Sequence, residues 1–305
     1  MLGVVGSTAS GKTELAVELA ARCGGELVSA DSRQVYIGCD IGTNKPSPAQ
    51  LRGIACHAID VVEPGRSFTV ADYRVVATRA IEDIAARQRT PVLQGGTGLY
   101  VRALLDGWNL AAVPANPALR EQLEARLRSD GVPALEAELQ RIDPAAAARA
   151  QRNPRRLIRS LELYASTGLP PSTLRRATPP PWRVLLLGLE VPFDELDRRI
   201  ERRVDRMLEE GLLEEVRGLR ARYPEVDLAG LGHGYREMGA VLDGTMELPA
   251  ARTSTIRQVR QYARRQRTWF RADPRVRWIP PDVEPAAALA AAFIGGEGEG
   301  FTRPL

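Results

Sequence analysis

Gly6-Ser7-Thr8-Ala9-Ser10-Gly11-Lys12-Thr13 has the spacing of a loop that grips a polyphosphate. In G-x-x-x-x-G-K-[ST] the glycines let backbone N–H groups curl around an anion, the lysine reaches the terminal phosphates and the last hydroxyl is free for Mg²⁺. Lys12 and Thr13 occupy those two places, so Mg²⁺ is the expected cofactor and Thr13 its expected protein ligand. A second group, Ser29-Ala30-Asp31-Ser32-Arg33-Gln34, ends the next apolar run. A carboxylate there, Asp31, can hold Mg²⁺ or take a proton from an attacking group. The third group, Gln94-Gly95-Gly96-Thr97-Gly98-Leu99-Tyr100, is a glycine-rich turn in which Thr97 is the side chain able to hydrogen-bond inward. It lacks the acidic residue that ends a typical second nucleotide-hydrolase motif, which argues against nucleotide hydrolysis.

These groups need a scaffold that brings three chain segments to one edge. Short apolar runs at Leu2–Val5, Glu26–Ala30, His57–Val61 and Pro91–Gln94 alternate with helical stretches, the pattern of an α/β fold: a phosphate-loop parallel sheet flanked by helices. A helix over Lys12–Arg22, with Leu15, Ala16, Leu19 and Ala20 inward, adds its positive end to the loop. Asp31 then falls at the carboxyl edge of the sheet, where such folds place ligands. After Leu105 the texture becomes helical, rich in Ala, Arg, Glu and Leu and broken by Pro114, Pro117, Pro133, Pro144 and Pro154. The strand signal returns at Arg183–Val191, after the proline clusters at 170–171 and 179–181. An all-helical insertion over 112–181 is therefore expected, within a core formed by 1–111 and 182–305. Helices over Asp194–Arg222 and Pro249–Phe270, a strand near Arg275–Ile279 and an Ala-rich terminal helix complete the reading.

With 305 residues, 44% of them hydrophobic, the chain can bury a full core. No apolar run approaches the ~18 residues that span a bilayer, and the N-terminus lacks the basic region that opens a signal peptide. Cys23, Cys39 and Cys56 form no C-x-x-C pair, so a reducing cytoplasm is expected and thiol or zinc-knuckle chemistry is not. Nothing demands a dimer, and a monomer is expected. The net charge of +4 is modest, yet of 42 Lys and Arg residues only Lys12 and Lys45 are lysines. Arg152, Arg155, Arg156 and Arg159 fall at i, i+3, i+4, i+7, and Arg257, Arg260, Arg264, Arg267 and Arg271 make a second stripe. Guanidinium stripes suit a phosphate backbone. A solvated helix face is the alternative.

The segments GSTASGKT, SADSRQVYIGCDIGTNKP, PVLQGGTGLYVRALLDG, NPRRLIRSLELYASTG, GHGYREM and RQYARRQRTWFR occur in this order. Together they resemble the tRNA dimethylallyltransferases, from residue 1 to about 271, with SADSRQVY and GGTGLY the most specific. The resemblance implies that the polyphosphate is dimethylallyl diphosphate and not ATP. It further implies that the acceptor is adenosine 37 in the anticodon loop of tRNAs reading codons that start with U. The residues implied to touch the tRNA are Asp31, Ser32, Arg33, Gln34, Thr97, Arg120, the run Arg155-Arg156-Leu157-Ile158-Arg159 and the run Leu231-Gly232-His233-Gly234-Tyr235-Arg236. The helical insertion is expected to close over the anticodon stem-loop.

The chemistry agrees with the residues taken on their own. Breaking the C–O bond of an allylic diphosphate spreads positive charge over the allyl unit, so the leaving group must be neutralised as it departs. Lys12, the loop N–H groups of residues 6–13, Thr13 through Mg²⁺ and an arginine of the 199–203 segment, Arg203, can do this. Adenine N6 is a weak nucleophile, and Asp31 is the expected base that takes its proton, with Thr97 fixing N6 or the diphosphate. The target nitrogen lies on the pairing edge, so the base must leave the loop stack. Three positions depart from the family pattern: Ser7 stands for a usual proline, Cys56 for a usual histidine and His233 for an apolar residue. The zinc-finger extension of some eukaryotic relatives is not seen, and a bacterial-type enzyme is expected. A phosphate-loop small-molecule kinase is the alternative, predicting ATP consumption, but it leaves the arginine stripes and the insertion without a role. A non-catalytic RNA-binding switch would bind RNA without turnover.

Overall fold

The computed structural model describes residues 1–109, 116–174 and 176–296. Compact contacts divide the chain into Met1–Leu105 with Pro180–Leu305, and Asp106–Pro179. In chain order the first part of the larger unit holds β1 (Leu2–Gly6), α1 (Lys12–Cys23), β2 (Glu26–Ser29), α2 (Pro48–Leu51), β3 (Cys56–His57), α3 (Val70–Ala86), β4 (Pro91–Gly95) and α4 (Gly98–Leu105). The smaller unit holds β5 (Trp108–Asn109), α5 (Pro117–Ile142), α6 (Pro144–Ala150), α7 (Pro154–Thr167) and β6 (Arg176–Ala177). The larger unit resumes with β7 (Leu185–Leu189), α8 (Phe193–Glu209), α9 (Leu212–Arg222), α10 (Leu228–Leu231), α11 (Tyr235–Leu242), α12 (Leu248–Arg271), β8 (Val276–Ile279) and α13 (Val283–Ile294).

The larger unit is a parallel six-stranded sheet in the order β3-β2-β4-β1-β7-β8. Every residue of β1, β2, β4 and β7 is buried, as a parallel sheet covered by helices on both faces requires. Alternation sorts the side chains. Leu2, Val4, Leu27 and Val92 pack with α1 and α13 on one face, while Val5, Val28 and Leu93 pack with α3, α4 and Phe270 of α12 on the other. The carboxyl ends of β1, β2 and β4 meet side by side, with Val5 opposite Gly95 and Ser29 opposite Gln94.

Three expectations are corrected. The strand read over His57–Val61 is reduced to Cys56–His57, because Ala58 (φ 59°) and Asp60 (φ 51°) take left-handed backbone that no ladder accommodates. The Asp60 and Val61 N–H groups donate instead to the carbonyls of Gln34 and Val35. The helix over Asp194–Arg222 is two helices, split where Gly211 adopts φ 100°. Among the described residues, the elements of the expected insertion over 112–181 are helices but for the two-residue strand Arg176–Ala177, which pairs antiparallel with Trp108–Asn109 ahead of it.

The smaller unit has its own core of Leu123, Leu135, Leu139, Ala147, Leu157 and Leu161. Its α5 bends at Gly131 (φ 77°), just ahead of Pro133. The expected start of the insertion at Ala112 and the break at Pro114 lie outside the described residues. Among the described residues no helix is long and apolar enough to cross a membrane.

Candidate active site

The phosphate loop runs from Gly6 to Thr13 between β1 and α1. Gly6 (φ 140°), Ala9 (φ 61°) and Gly11 (φ 94°) curl it, and Gly11 caps α1 without any side-chain acceptor. The first N–H groups of α1 therefore point at a ligand site with the helix dipole behind them. Lys12 donates to the carbonyl oxygen of Ser7. Burial pushes its pKa down to about 8, with Asp31 opposing the shift and Arg203 adding to it. Arg203 of α8 donates to Thr8 Oγ1 at 2.6 Å, and burial likewise lowers its pKa. A cavity of about 440 Å³ is lined by Lys12, Thr13, Asp31, Gly96, Arg203 and Gln266, among others. Lys12 and Arg203 thus share one cavity with the Asp31 carboxylate, whose charge acts on both.

The Asp31 side of the cavity is built from two stitched turns. Asp31 Oδ1 accepts from the Arg33 N–H at 2.9 Å, which fixes the turn leaving β2. Thr97 Oγ1 accepts from the Ser32 N–H at 2.9 Å and donates to Ser32 Oγ at 3.3 Å, and the Thr97 N–H donates to the Ala30 carbonyl at 3.0 Å. The glycines of this turn are required by close approach. A Cβ on Gly95 would lie 2.3 Å from the Ala30 carbonyl oxygen, and one on Gly98 would lie 2.1 Å from the Trp269 ring. Gln34 is buried, accepting from Ser29 Oγ at 2.9 Å and donating to the Asn44 carbonyl at 3.1 Å. Its amide braces the wall of the cavity.

Among the described residues no cluster of three His, Cys, Asp or Glu side chains could cage a metal. Thr13, Glu14 and Asp31 line the cavity without forming such a cage. The oxygens of Thr13 and Asp31 are of the hard kind that would suit Mg²⁺.

A sequence model described as IPP transferase matches residues 34–273. A tRNA dimethylallyltransferase of Geobacter sulfurreducens is 46% identical over 300 residues, covering 96% of each chain. This chain belongs to the IPP transferase family. Another relative in the family, a tRNA dimethylallyltransferase of Thermomicrobium roseum, is 47% identical over 91% of this chain and 85% of its own. The crystal structure of the tRNA isopentenylpyrophosphate transferase of Bacillus halodurans superposes with a TM-score of 0.71 at 41% identity, covering 97% and 95% of the two chains. A eukaryotic dimethylallyltransferase seen in crystallographic snapshots acting on tRNA gives 0.82 at 26% identity, covering 99% of this chain and 81% of its own. Membership of the IPP transferases sets aside the small-molecule kinase alternative.

Two residues of α12 in this IPP transferase escaped the sequence reading. Gln266 reaches both turns, accepting from the Thr8 N–H and donating to the Gly96 carbonyl. Tyr262, one turn earlier, has its ring 5.0 Å from that of His233, and its phenol is pushed up to about 12 by burial and then by the Asp31 charge. The signal for Gln266 was present: it is polar yet falls with Val259, Ala263 and Phe270 on the buried face of the helix. His233 has its pKa lowered, by burial first and by the Arg33 charge second, which favours the neutral ring.

The remaining expected RNA-contact residues divide by burial. Leu157 and Ile158 are core residues of the smaller unit, and Leu231 and Tyr235 are core residues of the larger one, so their side chains hold structure. The Tyr235 hydroxyl donates to Glu215, which also accepts the N–H groups of Asp40, Ile41 and Gly42. Gly232 and the αL-capping Gly234 (φ 96°) form the turn into α11, and Arg236 is exposed beside Glu237. In the smaller unit Arg155 and Arg156 are exposed, whereas Arg120 and Arg159 both pair with the fully buried Glu162, at 2.7 and 3.0 Å. Burial alone would raise the Glu162 pKa, but hydrogen bonds from Arg120, the Asn116 N–H and Arg159 hold it below the usual carboxylate range.

Both arginine stripes need correction. Arg152 lies outside α7, in a left-handed turn (φ 56°) ahead of the cap Asn153, and pairs with Glu136. In the second stripe Arg260 pairs with Glu201 and Asp197, Arg264 with Asp197, and Arg267 and Arg271 with Glu190. These ion pairs tie α12 to α8 and to the end of β7, while Arg257 is exposed. His57 likewise binds Glu26, at the amino end of β2 and remote from Asp31.

Proposed function

We propose that this chain transfers a dimethylallyl group from dimethylallyl diphosphate to N6 of adenosine 37 in the anticodon loop of tRNAs reading codons that start with U, giving N6-(dimethylallyl)adenosine. The observation that carries the reading is one cavity holding the phosphate loop, Lys12 and Arg203 together with Asp31. Family membership and the tRNA named for the relatives support it.

The leaving diphosphate sits in the cradle of residues 6–13. Lys12 and Arg203 neutralise the charge that develops on its oxygen as the C–O bond lengthens. Thr13 offers its hydroxyl to Mg²⁺, which supplies further neutralisation of the diphosphate when bound. Asp31 receives the N6 proton as the new C–N bond forms, and Thr97 holds the turn that aims it. The adenine enters extruded from its stack. Arg155, Arg156 and Arg236 supply exposed cations for the RNA backbone, and the protein acts as a monomer in the cytoplasm.

The test is incubation with labelled dimethylallyl diphosphate, Mg²⁺ and an unmodified anticodon stem-loop. Label on the adenine with release of diphosphate is expected. Unchanged RNA, or consumption of a nucleoside triphosphate in its place, would refute the reading.

A further inference from the structure

A buried primary amide has two donors and an acceptor to satisfy, so its partners reveal what it holds. Gln266 is 5% exposed. Its Oε1 accepts from the Thr8 N–H at 2.7 Å and its Nε2 donates to the Gly96 carbonyl at 2.9 Å. The first partner lies in the phosphate loop and the second beside Thr97 in the glycine turn. Ser7 Oγ adds a second tie to the same helix, donating to the Ala263 carbonyl at 3.0 Å. The glycine at 96 follows from this contact, since a Cβ there would lie 2.1 Å from Gln266 Nε2.

The sheet does not make this link. The ladder between β1 and β4 ends with Val5 opposite Gly95, one residue short of the Gly96 carbonyl that Gln266 engages. We propose that Gln266 is a positioning residue of the transfer, fixing the separation of the diphosphate cradle and the acceptor-side turn before either substrate arrives. The proposal rests on the function given above. The reaction joins two substrates held by different loops, the diphosphate at residues 6–13 and the base beside Asp31 and Thr97. Bond exchange needs the reacting atoms near contact distance, and a misplacement of about 1 Å costs about 10²-fold in rate. The same contact withdraws the Thr8 N–H from the anion cradle, leaving the other loop N–H groups to the phosphates.

Two variants separate positioning from folding. Gln266→Met fills a similar volume and makes neither hydrogen bond. Gln266→Glu keeps an acceptor for the Thr8 N–H but turns an acceptor toward the Gly96 carbonyl. Steady-state transfer to an anticodon stem-loop is measured beside hydrogen exchange at the Thr8 amide. Both variants are expected to lose about 10²-fold in kcat with KM for each substrate near the native value. The Thr8 amide is expected to stay protected in the native protein and in Gln266→Glu, and to exchange freely in Gln266→Met. Native kcat in Gln266→Met overturns the proposal, as does a native Thr8 amide that exchanges like an exposed loop. So does a loss of activity that only follows the loss of folded protein, with kcat per folded molecule unchanged. Absence of transfer by the native protein would sink the functional reading instead, and the exchange arm would then decide the link by itself.

Discussion

Lys12 turns its ammonium back onto the carbonyl oxygen of Ser7, a residue at the other end of the same loop. The group is buried, which lowers its pKa to about 8, and the nearby Arg203 charge works in the same direction. An anion seated in the cradle would restore the protonated form. Binding of pyrophosphate near pH 8.5 is therefore expected to take up a proton, and kcat/KM for dimethylallyl diphosphate to fall as pH rises past about 8. The sign for stability is opposite. The folded pKa lies below the ordinary value of 10.5, so the ligand-free folded chain binds fewer protons between those two values, and this group's contribution rises with pH there. Calorimetric titration in two buffers of different ionisation heat checks the proton uptake, and identical heats would contradict it.

Asp31 has two separable tasks. Its Oδ1 holds the turn by accepting from Arg33, and its charge is the proposed proton acceptor. Asp31→Asn preserves an oxygen for the turn and removes the base, whereas Asp31→Ala removes both. Transfer is expected to fall by about 10²–10⁴-fold in each, with stem-loop affinity close to native. Single-turnover transfer with saturating substrates measures this. An Asn variant as fast as the native protein would take Asp31 out of the proton-transfer step.

Much of the site was legible because local chemistry dictated it. Gly6–Thr13 must curl whatever the rest of the chain does, and Asp31 and Thr97 fall at strand ends that a parallel sheet brings together. What escaped was set by tertiary partners. Nothing local to α12 says that Arg260 and Arg267 will find Glu201 and Glu190, so the spacing alone did not show that these arginines carry ion pairs within the fold. The third strand failed for a similar reason: the run after His57 is apolar enough, but Ala58 and Asp60 adopt left-handed backbone that composition does not announce. Leu157 and Ile158 lie inside the expected contact run yet belong to the smaller unit's core, because one face of an amphipathic helix must serve that core.

Glu26 anchors the opposite edge of the sheet. Hydrogen bonds from Arg87, against the opposing effect of burial, and then from Arg89 and His57 hold its carboxyl far below the usual range. A depressed carboxylate pKa stabilises the fold above the unfolded value and loses that contribution as pH falls through the folded one. Glu26→Gln is expected to cost about 1–3 kcal/mol at pH 7. The lower part of that range is favoured because Arg87 and Arg89 are about half exposed and can turn to water. Urea unfolding of variant and native protein should converge as the pH drops into the acid range. A gap that stays constant with pH would mean that packing, and not the charge, accounts for the loss.

The arginines of the smaller unit should differ in how they meet RNA. Arg155 and Arg156 are exposed, so each guanidinium that neutralises a phosphate displaces a counterion, and removing one should flatten log K against log salt by about 0.7–0.9. Arg120 and Arg159 share the buried Glu162 carboxylate, which already offsets part of their charge. Their removal is expected to change the slope less and the melting temperature more, since Glu162 then loses a partner while it stays buried. Fluorescence anisotropy of a labelled anticodon stem-loop across a salt series, run beside thermal melts, distinguishes the two pairs. Equal slope changes at all four positions would mean that Glu162 leaves both arginines as available to phosphate as the exposed ones.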